Sequence, residues 1–190
     1  MLKRLLPALM GALLVVTAGA VASENKPLTD DQAKRFVDTL PALDRLGEEL
    51  REEGKTDKLE IATQPKSGEE FTPYSNAVAA LKTEHPADYA KLGAAVKPHG
   101  FSADEWGHVG DRVIIAYLAL EMEKQDPRSA AMMEGMDASM LDMVPPEMRD
   151  QLAATFAMME TVKNAPADDK AVVAKIKPQL DEYMGNAKKQ

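Results

Sequence analysis

The chain has 190 residues, 45% of them hydrophobic, with 31 acidic against 23 basic residues, a formal charge of −8 and no cysteine. Without cysteine there are no disulfides, no thiol catalysis and no thiolate metal sites. An acidic surface repels nucleic acid and anionic lipid, so neither is expected as a partner.

The first residues read as an export signal. Lys3 and Arg4 form a positive n-region, Leu5 to Val16 a mostly apolar h-region, and Ala20-Val21-Ala22 an A-x-A cleavage site before Ser23. Residues 1–22 are therefore expected to be a cleaved signal peptide and 23–190 a single all-helical domain in the periplasm. Loss of Lys3 and Arg4 takes the −8 to −10. No cysteine follows the small residues, so a lipoprotein signal is not expected, and no later apolar run approaches the roughly 20 residues that a membrane span needs.

In chain order, Thr29 and Gln32 frame a capping box, with Asp30 and Asp31 in the first turn of a helix. Phe36, Val37 and Leu40 follow at helical spacing. Pro41 predicts a kink or a fresh helix that carries Leu43, Leu46 and Leu50 as far as Gly54. Residues 55–70 show charges, a Gln-Pro and a Ser-Gly but no period, and predict a mobile surface loop. Thr72-Pro73 and His85-Pro86 each place proline at the first position of a helix. The first carries Ala77, Val78 and Leu81, and the second Tyr89, Leu92 and Val96.

Pro98-His99-Gly100 ends that segment. Ser102 caps the next helix and pairs with Glu105 in a capping box, while Phe101 and Trp106 have the spacing of a hydrophobic staple. Trp106, Val109, Val113, Tyr117 and Leu120 draw one apolar face, and Val113 to Leu120 is apolar all round, which predicts a buried central helix. Gly107 and Gly110 cost that helix roughly 1 kcal/mol each against alanine, which implies close approach of a neighbouring backbone. The pattern GF-x4-W-x2-VGDRV-x2-AY over Gly100 to Tyr117 resembles a group of small secreted all-helical proteins of Gram-negative bacteria. That resemblance implies the fold and the compartment, and no activity.

Asp126-Pro127 predicts the start of a methionine-rich helix to about Met143, stopped by Val144-Pro145-Pro146. Met148, Leu152, Phe156 and Met159 mark a further helix. After Asn164-Ala165-Pro166, the residues Val172 or Val173, Ile176, Leu180 and Tyr183 mark the last, bent at Pro178. The fold class is thus all-α, with about six or seven short helices around the central one.

Three features bear on function. Met132, Met136, Met140 and Met143 share one helical face, and thioethers are soft ligands that select Cu(I); the same spacing also describes a core-facing stripe or an adaptable client surface. Leu28-Thr29-x-x-Gln32 resembles the LTxxQ motif of the Spy and CpxP-type periplasmic chaperones, which implies ATP-independent client binding. Asp104, His108 and Asp111 lie within two turns of the central helix, where a metal or acid–base pair is conceivable, though Asp104 also suits the helix N-terminus. Asp111, Arg112 and Tyr117 read as structural, with arginine available to a tyrosine hydroxyl. Tyr74, Lys82 and Glu84 suggest a solvated face.

The expected function is an exported, non-enzymatic binding or interaction protein of unspecified protein or small-molecule ligand, without a cofactor. The alternatives each carry a structural signature. A chaperone would expose a methionine groove, a copper protein would bring three thioethers to one point, and an enzyme would show a polar pocket around His108.

Overall fold

The first helix is set by its own cap. Thr29 is extended, its Oγ1 accepts from the Gln32 N–H, and the Gln32 side chain accepts from the Thr29 N–H at 3.1 Å, closing the expected capping box. From there α1 (Asp30–Glu52) runs unbroken through Pro41. Proline removes one backbone donor, and burial of Phe36, Leu40, Leu46 and Leu50 along one face holds the two halves in a single helix. The helix ends at Gly54, in the left-handed conformation at φ 68°, where the Lys55 N–H reaches back to the Leu50 carbonyl in a Schellman motif.

The computed structural model describes residues 27–66, 68–124 and 144–187. Among them are seven α-helices, a 3-10 turn and no strand, and the all-α class holds. Part of the segment read as a loop is helical: α2 (Thr56–Thr63) is a short helix that packs on α3 (Pro73–Glu84). Tertiary contact rather than an apolar period of its own holds it, so sequence periodicity did not reveal it. Proline stands at the start of α3 and again of α4 (Pro86–Val96), as the sequence indicated. A 3-10 turn, Lys97–His99, and Gly100 at φ 78° then reverse the chain into α5 (Ala103–Glu123).

The centre of the fold is α5, which touches α1, α3, α4 and the two helices after it, α6 (Pro146–Lys163) and α7 (Ala167–Ala187). Its all-round apolar middle has a structural reason. Val109, Val113 and Ala116 enter the main core with Phe36, Val96 and Val173, whereas Ile115 and Ala119 enter a second, smaller core with Phe71, Val162 and Ala165. One helix thus separates two apolar clusters and needs apolar residues on both sides. Neither internal proline interrupts its helix: α1 runs for 23 residues through Pro41 and α7 for 21 through Pro178.

The glycines of α5 act as the sequence implied. A Cβ on Gly107 would lie 3.3 Å from the Ser75 backbone, and one on Gly110 would lie 2.7 Å from the Tyr74 ring. The start of α3 therefore rests directly on α5. Tyr74 is no solvated residue. Its ring meets Trp106 edge-on at 5.3 Å and Phe36 edge-on at 5.7 Å, while Trp106 stacks on Phe36 at 5.5 Å. The Trp106 indole N–H donates to Thr39 Oγ1 at 3.0 Å, so this buried donor is satisfied. Lys82 does remain on the surface, paired with Asp104.

Candidate binding groove

Ser102 caps α5 by accepting from the Glu105 N–H at 3.1 Å, but the return bond from Glu105 is not formed, so this is a single cap and not the full box. Phe101 and Trp106, the expected staple, are both buried in the main core. Arg35 of α1 fixes the approach to this turn. Its Nη1 donates to the carbonyls of His99 and Gly100, at 2.7 and 3.3 Å, and its guanidinium lies 4.6 Å from the centre of the Phe101 ring.

Between the starts of α1 and α5 the surface opens into a groove of about 660 Å³, lined by Thr29, Gln32, Arg35, Asp104, His108 and Arg112 among others. The polar pocket that the sequence attached to an enzyme reading is therefore present at His108. Its chemistry is decided by what the three candidate side chains are bonded to. Asp104 is exposed and pairs with Lys82 at 3.0 Å. His108 is exposed, with Nδ1 3.2 Å from Ser75 Oγ. Asp111 is buried and points away, into the first turn of α3, where its carboxylate accepts from the N–H groups of Tyr74 at 2.7 Å and Ser75 at 3.2 Å.

That last arrangement is a helix cap supplied from another helix. Thr72, the formal cap residue of α3, makes no side-chain cap bond, and Asp111 satisfies the orphan N–H groups instead. Burial pushes the Asp111 carboxyl above its ordinary value, against the lowering effect of the Ser75 and Tyr74 bonds and of nearby His108. Burial, and then the Asp111 charge, also raises the Tyr74 hydroxyl to about 12.

Ser75, His108 and Asp111 are thus brought together, yet not as a nucleophile with its base. A catalytic triad needs the carboxylate on the imidazole and free N–H donors for an oxyanion. Here the carboxylate holds the α3 backbone and takes up the N–H groups that an oxyanion would use. Among the described residues no group of His, Asp and Glu side chains is arranged to hold a metal ion.

The expected pairing of arginine with the Tyr117 hydroxyl is not formed. Arg112 instead makes a two-point contact with Asp169 of α7, at 2.7 and 2.6 Å, and Asp169, 1% exposed, also accepts from the Leu28 N–H at 3.0 Å. Tyr117 donates to Asp181 at 3.0 Å. Beside it Lys177, 8% exposed, bonds Asp181 and lies 2.6 Å from Glu121 and 4.7 Å from the centre of the Tyr117 ring. Burial opposes the charge on Lys177, but Asp181 and Glu121 outweigh it and hold its pKa well above the usual lysine value.

A second groove, of about 780 Å³, lies on the other side of Arg112 and includes Glu69, Glu70, Ile115, Glu160 and Asp168 in its wall. The LTxxQ residues are accounted for at the start of α1: Leu28 is buried in the main core, and Thr29 and Gln32 form the capping box. Met132, Met136, Met140 and Met143 lie outside the described residues. Met148 is the large hydrophobic side chain left exposed among the described ones. Ser75, Thr39, Asp169 and Lys177 carried no sequence signal, since each acquires its role from a partner on another helix. No protein-family model, curated protein or solved structure matches the chain.

Proposed function

We propose that the chain is an exported, non-catalytic binding protein and that the groove between α1 and α5 receives its ligand. One observation carries this reading: the groove is open and polar, while the groups that chemistry would require are already engaged. Asp111 is committed to the α3 backbone and Asp104 to Lys82. What remains toward solvent is a rim of hydrogen-bonding side chains, including Gln32, Glu105 and His108, suited to orienting a small polar molecule.

The test is native mass spectrometry of the protein purified from the periplasm, alongside a Glu105→Trp variant whose indole fills the groove. A small molecule carried by the wild type and absent from the variant is the expected result. Ester, amide or phosphoester turnover that disappears in His108→Ala would overturn the reading in favour of an enzyme. Export is checked on the same sample, where the intact mass should correspond to a chain that starts at Ser23 or within a few residues of it.

A further inference from the structure

His108 stands at the end of a line of polar groups that begins in the buried joint between α3 and α5. Asp111 accepts from the Tyr74 and Ser75 N–H groups, and the Ser75 hydroxyl also donates to its carboxylate. A serine hydroxyl carries one proton, and an ionised carboxylate only accepts. With that proton spent on Asp111, Ser75 Oγ is left as an acceptor toward His108 Nδ1, 3.2 Å away. Nδ1 then carries the ring proton, and Nε2, which has no partner among the described residues, keeps its lone pair. One turn earlier on α5, Glu105 lines the same groove as His108, and among the described residues its carboxylate has no partner either. The other charges of the groove are matched: Arg35 is bonded to Asp31, Arg112 to Asp169 and Asp104 to Lys82.

We propose that Asp111, acting through Ser75, holds His108 in the Nδ1–H form, so that Nε2 and the Glu105 carboxylate together offer two acceptors to a ligand carrying an ammonium group. Side chains three residues apart on a helix are about 5–6 Å apart at Cβ. One ammonium group has three N–H donors, enough to serve both acceptors and leave one for water. Asp111 and Ser75 are positioning residues and touch no ligand. The ammonium class rests on the groove being the binding site, whereas the tautomer of His108 is read without any ligand.

Long-range proton–nitrogen NMR correlation of the imidazole rings at about pH 8.5, where an ordinary histidine is neutral, reads the tautomer. The chain has three histidines, and the His108 signals are assigned by their loss in His108→Gln. The wild type should show a protonated Nδ1 and a bare Nε2. Ser75→Ala keeps the backbone N–H groups that Asp111 caps, so it retains the fold, and it should shift the population toward the Nε2–H form. A wild-type ring protonated at Nε2, or a population unmoved in Ser75→Ala, overturns the proposal. The ligand class is tested with ethanolamine and choline, which share a charge and a hydroxyl, while the choline nitrogen has no N–H to donate. Ethanolamine should move the Nε2 signal and choline should not, and Glu105→Gln should weaken ethanolamine by at least about fivefold, as for the loss of one hydrogen bond to a charged group. An equal response to both probes, or none to ethanolamine, overturns the ammonium class. The binding reading itself is judged by the native mass spectrum: a neutral or anionic molecule found there upholds that reading and overturns this class.

Discussion

Gly110 and Gly47 are both helical glycines, and the structure gives them opposite roles. A Cβ at Gly110 would lie 2.7 Å from the Tyr74 ring and 3.0 Å from Phe36, whereas at Gly47 nothing lies within 4 Å. Gly110→Ala should therefore destabilise the protein by about 1 to 3 kcal/mol through overpacking of the aromatic trio. Gly47→Ala should stabilise it by about 0.5 to 1 kcal/mol, because alanine gives up less backbone freedom. Chemical denaturation followed by the fluorescence of Trp106, the only tryptophan, measures both, and two shifts of the same sign would contradict this assignment. Trp106→Ala, read by circular dichroism, should cost roughly 3 to 5 kcal/mol. Thr39→Val keeps the volume but removes the acceptor of the indole N–H, and should cost about 1 to 3 kcal/mol for the unpaired donor.

At the scale of the element, sequence reasoning worked where the deciding atoms lie within one turn of each other. The cap of α1, the Ser102 cap, the prolines opening α3 and α4 and the glycine stop before α5 are all such local features. It failed where the partner is remote. Tyr74 read as a surface residue although it shares the helical spacing of Val78 and Leu81, because its ring partners, Phe36 and Trp106, lie on other helices, and Asp111 read as structural without its partners, the N–H groups of Tyr74 and Ser75, which lie more than 30 residues earlier. Trp106 and Thr39 are 67 residues apart, and Arg112 and Asp169 are 57 apart. A polar pocket at His108 was tied to the enzyme alternative alone, and the contact of His108 with Ser75 carried no sequence signal. For α3, Asp111→Ala should cost about 1 to 2 kcal/mol, as for other lost caps, and should raise the exchange rates of the Tyr74 and Ser75 amides above those of the rest of the helix. Unchanged exchange at those two positions would mean that α3 needs no cap from α5.

For the whole molecule, the shifted groups define a stability profile with pH. Lys177, Tyr74, Tyr117 and Tyr183 all have folded-state pKa values raised above their ordinary ones. Each then holds its proton more tightly when folded, so its contribution is fully present below the unfolded pKa, about 10 for tyrosine and lysine, and is lost as pH rises beyond it. For Tyr74 the loss spans roughly pH 10 to 12. On the acid side Asp88 is lowered, chiefly by its bond to Lys55, so its contribution is present above about pH 4 and is lost on further acidification. Asp111 runs the other way. Its raised pKa makes ionisation a cost, so acidification through its folded pKa recovers stability and partly offsets the loss at Asp88. Denaturation midpoints should be nearly flat from about pH 6 to 9 and fall steeply above about pH 10, with Lys177→Met flattening the alkaline limb. An alkaline limb unchanged in Lys177→Met would exclude the buried lysine as a contributor.

The bond from the Leu28 N–H to Asp169 joins residues 141 positions apart. Synthesis proceeds from the N-terminus, so Leu28 and α1 emerge long before the helix that holds them in place. The other partner of α1 on that side, Lys175 bonded to Asp30, arrives later still. The native topology therefore cannot close until nearly the whole chain is available, and the search for this long-range contact comes late and is slow. The two ends of the chain therefore stabilise each other, and neither is secured before the other has been made.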